Sequence, residues 1–201
     1  RKSLTEQTSP EQTEDWLSDV LQNINTSIYE QAKQHEEYAG MGTTVVVAIS
    51  GEDFMTIGHI GDSRCYLYNE NGFNQVTEDH SLVNELVRTG QITEEDAKFH
   101  PRKNIVLKAL GTEPHVLADI QSISFEQGDR LLLCSDGLTD KLSNGELSDF
   151  VQSSDDIKET AQKMIDLANE RGGEDNISLI LIRHQPQEKV GEGHVRRSPI
   201  K

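Results

Sequence analysis

The sequence predicts an α+β layered domain in which antiparallel sheets are flanked by helices, with a helical insertion between strands. Three observations carry this reading. Trp16, Leu17, Val20, Leu21, Ile24 and Ile28 recur at helical spacing near the N-terminus. Short β-branched and apolar runs bounded by Gly and Asp follow, as strands do. Between residues 79 and 110 that pattern gives way to two short helical ones.

The first helix is expected to start at Ser9-Pro10-Glu11-Gln12, with Ser9 as cap, Pro10 in the first helical position and Gln12 three residues after the cap. Its apolar stripe reads as packing on a core. Thr43 to Ile49 is β-branched and apolar almost throughout, so a strand buried on both faces is expected there. The turn Ser50-Gly51-Glu52-Asp53 leads into Phe54 to Ile60, and Cys65 to Tyr68, the hairpin signal Asn71-Gly72 and Phe73 to Val76 complete an expected four-strand meander. Leu82, Val83, Leu86 and Val87 mark a short helix, Thr93-Glu94-Glu95-Asp96 starts another, and His100-Pro101 stops it. Val116 to Phe125 and Arg130 to Cys134 return to strand around Gln127-Gly128-Asp129. Ile157, Ala161, Met164, Ile165 and Ala168 give a second long helix closed by Gly172-Gly173, and a last strand runs from Ile177 to about Arg183. The expected domain spans residues 9–184, with a loose segment at 1–8 and a disordered tail at 185–201.

Composition narrows the function. The chain has 201 residues, 34% of them hydrophobic, enough for one core. With 35 acidic and 19 basic residues it carries a formal charge of −16, which argues against a phosphate-backbone binder and so against nucleic acid as a partner. No apolar run approaches the length of a membrane helix and Arg1 to Glu6 lacks a secretory segment, so a cytoplasmic protein without membrane insertion is expected; a monomer is expected as well. Cys65 and Cys134 both fall inside strand-like runs and read as small buried thiols, neither a disulfide framework nor a zinc site.

The acidity that matters is clustered. Gly61-Asp62-Ser63-Arg64, Ser135-Asp136-Gly137-Leu138-Thr139-Asp140 and Gly173-Glu174-Asp175-Asn176 each sit at the end or start of an apolar run. Strands in packed sheets can deliver Asp62, Asp136, Asp140 and Asp175 to one edge, where mutual repulsion must be offset. Oxygen-only ligands select hard divalent cations over zinc or copper. Asp136 and Asp140 are four apart, so one helical turn could aim both at an ion; equally, Asp140 could cap the following segment and Asp136 occupy a tight turn with Gly137. Paired divalent ions can activate water and clamp the attacking and leaving oxygens of a phosphoryl displacement. No Gly-x-Ser-x-Gly, catalytic cysteine arrangement or P-loop competes with that chemistry.

These residues, with Gly40-Met41-Gly42-Thr43-Thr44-Val45-Val46-Val47-Ala48, occur in the order found in PP2C-type (PPM) metal-dependent protein phosphatases, and the chain resembles that family over roughly residues 10 to 184. The resemblance implies a PP2C-like layered β-sandwich and hydrolysis of protein phosphoserine and phosphothreonine by a metal-activated water, with two or three Mn²⁺ or Mg²⁺ ions. It implies that Asp136 ligates the central metal, that Asp175 is the last ligand of the two-metal core, and that Asp62 with Asp136, helped by Asp140, holds a third ion. Asn176 would support Asp175, and Gly137 the Asp136 turn. Thr77-Glu78-Asp79-His80-Ser81 through His100-Pro101-Arg102 is similar to the flap of the bacterial members, which would place Ser81 and His100 near substrate; His100 is otherwise an ordinary loop histidine. The implied partners are phosphorylated proteins, among them a cognate serine/threonine kinase.

Family members also carry an earlier strand pair with an acidic residue and a phosphate-binding arginine, then Asp-Gly-Met-Gly-Gly. Here Ala39 stands where that aspartate is required, and Gly40-Met41-Gly42 only resembles the segment. A chain lacking those groups is expected to be a poor catalyst, and the initial Arg1 favours a piece of an active phosphatase over a short inactive relative. The alternative reading is a non-catalytic phosphatase-like module that binds a phosphoprotein.

Overall fold

The computed structural model describes Leu4, residues 8–153 and residues 156–185. The expected loose segment and tail lie almost wholly outside the described residues. Helix α1 (Pro10–Gln34) begins as its sequence dictates: Ser9 Oγ accepts the Gln12 N–H while the Gln12 side chain accepts the Ser9 N–H. Its Leu17 and Leu21 are buried. Leu17 approaches strand β2 (Phe54–Ile60) closely because Gly58 has no side chain; a Cβ there would stand 2.7 Å from Leu17 Cδ2. About two turns further, buried Asn25 accepts the Gly111 N–H at 2.8 Å and donates to the Glu113 carbonyl at 2.9 Å, which ties the helix to the segment entering β5 (Asp119–Ser124).

Two antiparallel sheets form the centre. One has the order β1-β2-β5, with β1 at Val45–Ser50. The other has the order β4-β3-β6-β7, from β3 (Arg64–Asn69), β4 (Gly72–Gln75), β6 (Arg130–Cys134) and β7 (Leu179–Arg183). Alternation along β6 builds both cores. Leu131 and Leu133 join Met55, Ile57, Cys65 and Phe125 between the sheets. Leu132 and Cys134 join Tyr66, Leu147, Val151, Met164 and Ala168 beneath α5 (Asn144–Ser153) and α6 (Ile157–Glu170). A strand covered on both faces must be apolar at successive positions, as Leu131-Leu132-Leu133 is. Both cysteines are buried free thiols, each pushed up to about 12 by burial.

Three expectations change, and one helix appears for which none was stated. The meander does not exist as one sheet: the chain leaves the first sheet after β2 and enters the second at β3, and the crossing is Gly61-Asp62-Ser63. Nor is β1 buried on both faces. It is an edge strand, half-buried along Val45 to Ile49, because among the described residues it pairs only with β2. The strand expected from Val116 begins at Asp119. Helix α5 lay unread in the sequence, although Ser143 and Glu146 form a capping pair at its start, the Ser143 N–H donating to Glu146 Oε2 at 2.9 Å.

The insertion holds α2 (Leu82–Arg88), capped by Ser81 Oγ on the Asn84 N–H, and α3 (Glu94–Lys98), opened by a Thr93–Asp96 capping box. Gly172 and Gly173, both at positive φ, follow α6 where the chain reverses toward β7.

Leu132→Ala, which empties a fully buried position of the central strand, is expected to cost about 3 kcal/mol in urea unfolding, whereas Leu117→Ala, at a site 83% exposed, should change stability by less than about 0.5 kcal/mol.

Candidate metal centre

Antiparallel pairing places the acidic clusters together. Arg64, the first residue of β3, pairs with Cys134, the last of β6, and Cys134 pairs with Leu179, the first of β7. The segments just before β3, just after β6 and just before β7 therefore leave the same end of one sheet, and they carry Asp62, Asp136 and Asp175.

Each loop is then locked by its own atoms. Gly61 has φ of 111°, and a Cβ on it would meet Thr44 Cγ2 at 2.3 Å, so the crossing between sheets needs glycine there. Next to it, Thr44 Oγ1 and Ser63 Oγ share a hydrogen bond of 3.0 Å. After β6 the chain turns into the single-turn helix α4 (Asp136–Thr139), where Asp136 Oδ1 accepts the Gly137 N–H at 2.9 Å and the Asp136 carbonyl accepts the Asp140 N–H at 2.8 Å. Ser135 does not cap this turn with its side chain. Its Oγ donates to the Asn176 carbonyl and accepts the Ser178 N–H, both at 3.0 Å, stapling the Asp136 loop to the Asp175 loop. Gly137 lets the two loops touch, since a Cβ on it would stand 2.4 Å from Asn176 O. The Asn176 N–H in turn donates to Asp175 Oδ1 at 2.7 Å.

All four aspartates line one cavity of about 510 Å³, together with Thr44, Lys103, Lys141 and Glu174. Burial raises the Asp136 pKa, and the neighbouring Asp175 and Asp140 raise it further. Burial likewise raises Asp62, with Asp136 adding to it and Arg64 opposing. Two lysines stand among these carboxylates: Lys103 Nζ lies 2.5 Å from Asp140 Oδ2, and Lys141 pairs with Glu174. The donors are oxygen throughout, and the carboxylates repel one another, so the set fits a hard divalent cation.

His100 and Ser81 lie elsewhere. Ser81 is buried and lines a neighbouring cavity of about 360 Å³ as the cap of α2, while His100 Nδ1 accepts the Arg102 N–H at 3.2 Å. Sequence reasoning missed several supports. The buried part of Arg64 grips Asp79 through Nε and Nη2, the latter at 2.6 Å, and reaches Tyr66 Oη. Burial alone would lower the arginine pKa, but the Asp79 hydrogen bonds override it and raise it. Gly-Asp-Ser-Arg on one side and Glu-Asp-His on the other contained that pairing, though not its register. The Ser135 staple had no signal in the spacing.

A protein-family model described as protein phosphatase 2C matches residues 2–180. The serine/threonine phosphatase stp of Listeria welshimeri is 44% identical over 188 residues, covering 94% of this chain and 75% of that protein. The protein phosphatase PhpP of Streptococcus pneumoniae is 40% identical over 168 residues, covering 84% of this chain and 68% of that protein. Among solved structures, serine/threonine phosphatase Stp1 from Staphylococcus aureus superposes with a TM-score of 0.85 at 38% identity, covering 92% of this chain and 71% of that one. The catalytic domain of serine threonine protein phosphatase PstP in complex with 2 manganese ions gives 0.76 at 32% identity, covering 84% and 70%.

Because the Asp136 pKa is raised above its unfolded value, its carboxylate destabilises the cation-free fold at neutral pH and ceases to do so as pH falls below about 3.8. Asp136→Asn is therefore expected to stabilise the protein in chelator at pH 7 and to leave it little changed near pH 3.5. Urea unfolding at the two pH values measures this.

Proposed function

As this chain belongs to the protein phosphatase 2C family, we propose that it hydrolyses phosphoserine and phosphothreonine in proteins with Mn²⁺ or Mg²⁺, two or three ions, held by Asp136, Asp175, Asp62 and Asp140. The observation that supports this most is the convergence of those four carboxylates on one cavity at the end of the second sheet. Bound there, the ions would supply Lewis-acid chemistry: activation of water and neutralisation of the phosphoryl charge.

The chain's own groups hold and orient. Asp136 and Asp175 serve the central pair and are aimed by the Gly137 and Asn176 N–H groups. Asp62 with Asp136, helped by Asp140, serves a third position. Lys103 and Lys141 at the same cavity offer positive charge to the substrate phosphate once cations take over the carboxylates. In the flap, about residues 79–110, Ser81 acts by capping α2 and His100 by holding the turn before Arg102. Residues 9–184 form the phosphatase-like part of the protein in this reading. Phosphorylated proteins, a serine/threonine kinase among them, are the proposed partners of a monomer. Among the described residues no helix is long and apolar enough to cross a membrane. The cytoplasm is the proposed compartment, where the thiols of Cys65 and Cys134 would stay reduced.

Phosphate release from a phosphothreonine peptide, measured on the protein as encoded with any residues that precede Arg1, should require Mn²⁺ or Mg²⁺ and fall at least about 100-fold in Asp136→Asn. Equal rates in the two proteins would remove Asp136 from the mechanism. Tight peptide binding without any turnover would favour a non-catalytic module.

A further inference from the structure

Beside the metal centre, and outside the aspartate set, lies a second group of titratable side chains: His59, His80, Asp119 and Lys108. Among the described residues, candidate ligand atoms of His59, His80 and Asp119 all lie within 4.8 Å of one another. Their hydrogen bonds argue against a metal there. His80 Nδ1 accepts the Gly61 N–H at 3.1 Å, so Nδ1 carries no proton. A neutral imidazole then has its one proton on Nε2, which faces Asp119 Oδ2 at 3.3 Å and has no lone pair for a cation. Lys108 Nζ stands 3.4 Å from the same Nε2 and 3.7 Å from Asp119, occupying the approach with positive charge. His59 stacks on His80 with ring centroids 4.7 Å apart, and its Nε2 donates to the Glu78 carbonyl at 2.8 Å, fixing the plane of the pair.

What this arrangement does hold is a peptide. Gly61 is clasped twice by one residue: its N–H by the His80 side chain, and its carbonyl by the His80 N–H at 2.9 Å. Gly61 is also the pivot between the sheets, and the next residue is Asp62. We propose that His80, kept as the Nε2–H tautomer by Asp119, is a positioning residue that fixes the Gly61 peptide and thereby aims the Asp62 carboxylate at its cation; this rests on the reading of Asp62 as a ligand. The imidazole is 8% exposed, and burial pulls its pKa below the ordinary value against the pull of Asp119, which agrees with a neutral ring. A ligand presented by a loop binds weakly unless the loop is held, and orienting groups of this kind are worth about 10- to 100-fold in metal affinity.

Two near-isosteric substitutions separate the ring nitrogens. His80→Asn puts an amide oxygen close to Nδ1 and keeps the acceptor for Gly61. His80→Gln puts an amide nitrogen close to Nε2, keeps the donor to Asp119 and loses that acceptor. Mn²⁺ titration by calorimetry is expected to show the Asn variant within about threefold of the parent and the Gln variant at least about tenfold weaker at the site that Asp62→Asn abolishes. The same loss in both variants, or in neither, would overturn the proposal. In the parent, nitrogen-15 NMR of His80 should show a bare Nδ1 and a protonated Nε2, and this arm stands even where a variant fails to fold; a protonated Nδ1 would overturn the proposal directly. Mn²⁺ binding unchanged in Asp62→Asn would remove the underlying ligand reading instead, whereas weakened Asp62→Asn with parent-like His80→Gln would sink the positioning role alone.

Discussion

The candidate centre depends on one constraint, the antiparallel register that sets Arg64 opposite Cys134 and Cys134 opposite Leu179. Antiparallel neighbours alternate in direction, so strands that enter, leave and enter at the same end share one rim. Asp62, Asp136 and Asp175 come from three segments that together span more than a hundred residues of chain, yet a shift of one strand by a single residue would turn its faces over. The apolar sequence of β6 prevents such a shift from being free, since Leu131 and Leu133 serve the space between the sheets while Leu132 and Cys134 serve the helices. Packing of the interior and placement of the carboxylates are thus consequences of the same pairing.

Gathering acids at a rim works against stability, and the surroundings offset this locally. Burial pushes Asp136 and Asp62 toward protonation, with Asp175 adding to it at Asp136 and Asp136 adding to it at Asp62, while backbone N–H groups of Gly137 and Asn176 and the ammonium of Lys103 supply partial compensation along the rim. Such compensation is incomplete by design of the chemistry: a site satisfied by its own lysines would have no use for a cation. The loops that carry the acids are meanwhile held by neutral bonds, the Ser135 staple and the Thr44–Ser63 pair, which do not compete with a metal for lone pairs on the carboxylates. The clasp of His80 on Gly61 belongs with these, one layer behind the acids.

Much of this was legible in the residues. The capping box at Ser9, the hairpin at Asn71-Gly72 and the short helices of the insertion follow from local chemistry and appear where expected. Asp62, Asp136 and Asp175 could be singled out because the cluster that holds each ends or begins an apolar run, and Asp140 because it follows Asp136 by four residues. What could not be read was which strands share a sheet. Glycine and aspartate at 61 and 62 signal a turn, but a turn within a meander and a crossing between sheets look alike locally, and only long-range pairing tells them apart. For the same reason β1 seemed central: its β-branched run reports strand propensity, not how many neighbours cover it. Helix α5 was missed although Ser143 and Glu146 advertise it, since its apolar positions Leu147 and Val151 are few. Roles such as those of Ser135 and His80 depend on three-dimensional approach and leave no periodic trace.

The most direct test of the central claim is an anomalous difference map from crystals soaked in Mn²⁺. Peaks within coordination distance of both Asp136 and Asp175, at the rim of the second sheet, are the predicted result. Manganese found only between His59, His80 and Asp119, with the aspartate cavity empty, would contradict it.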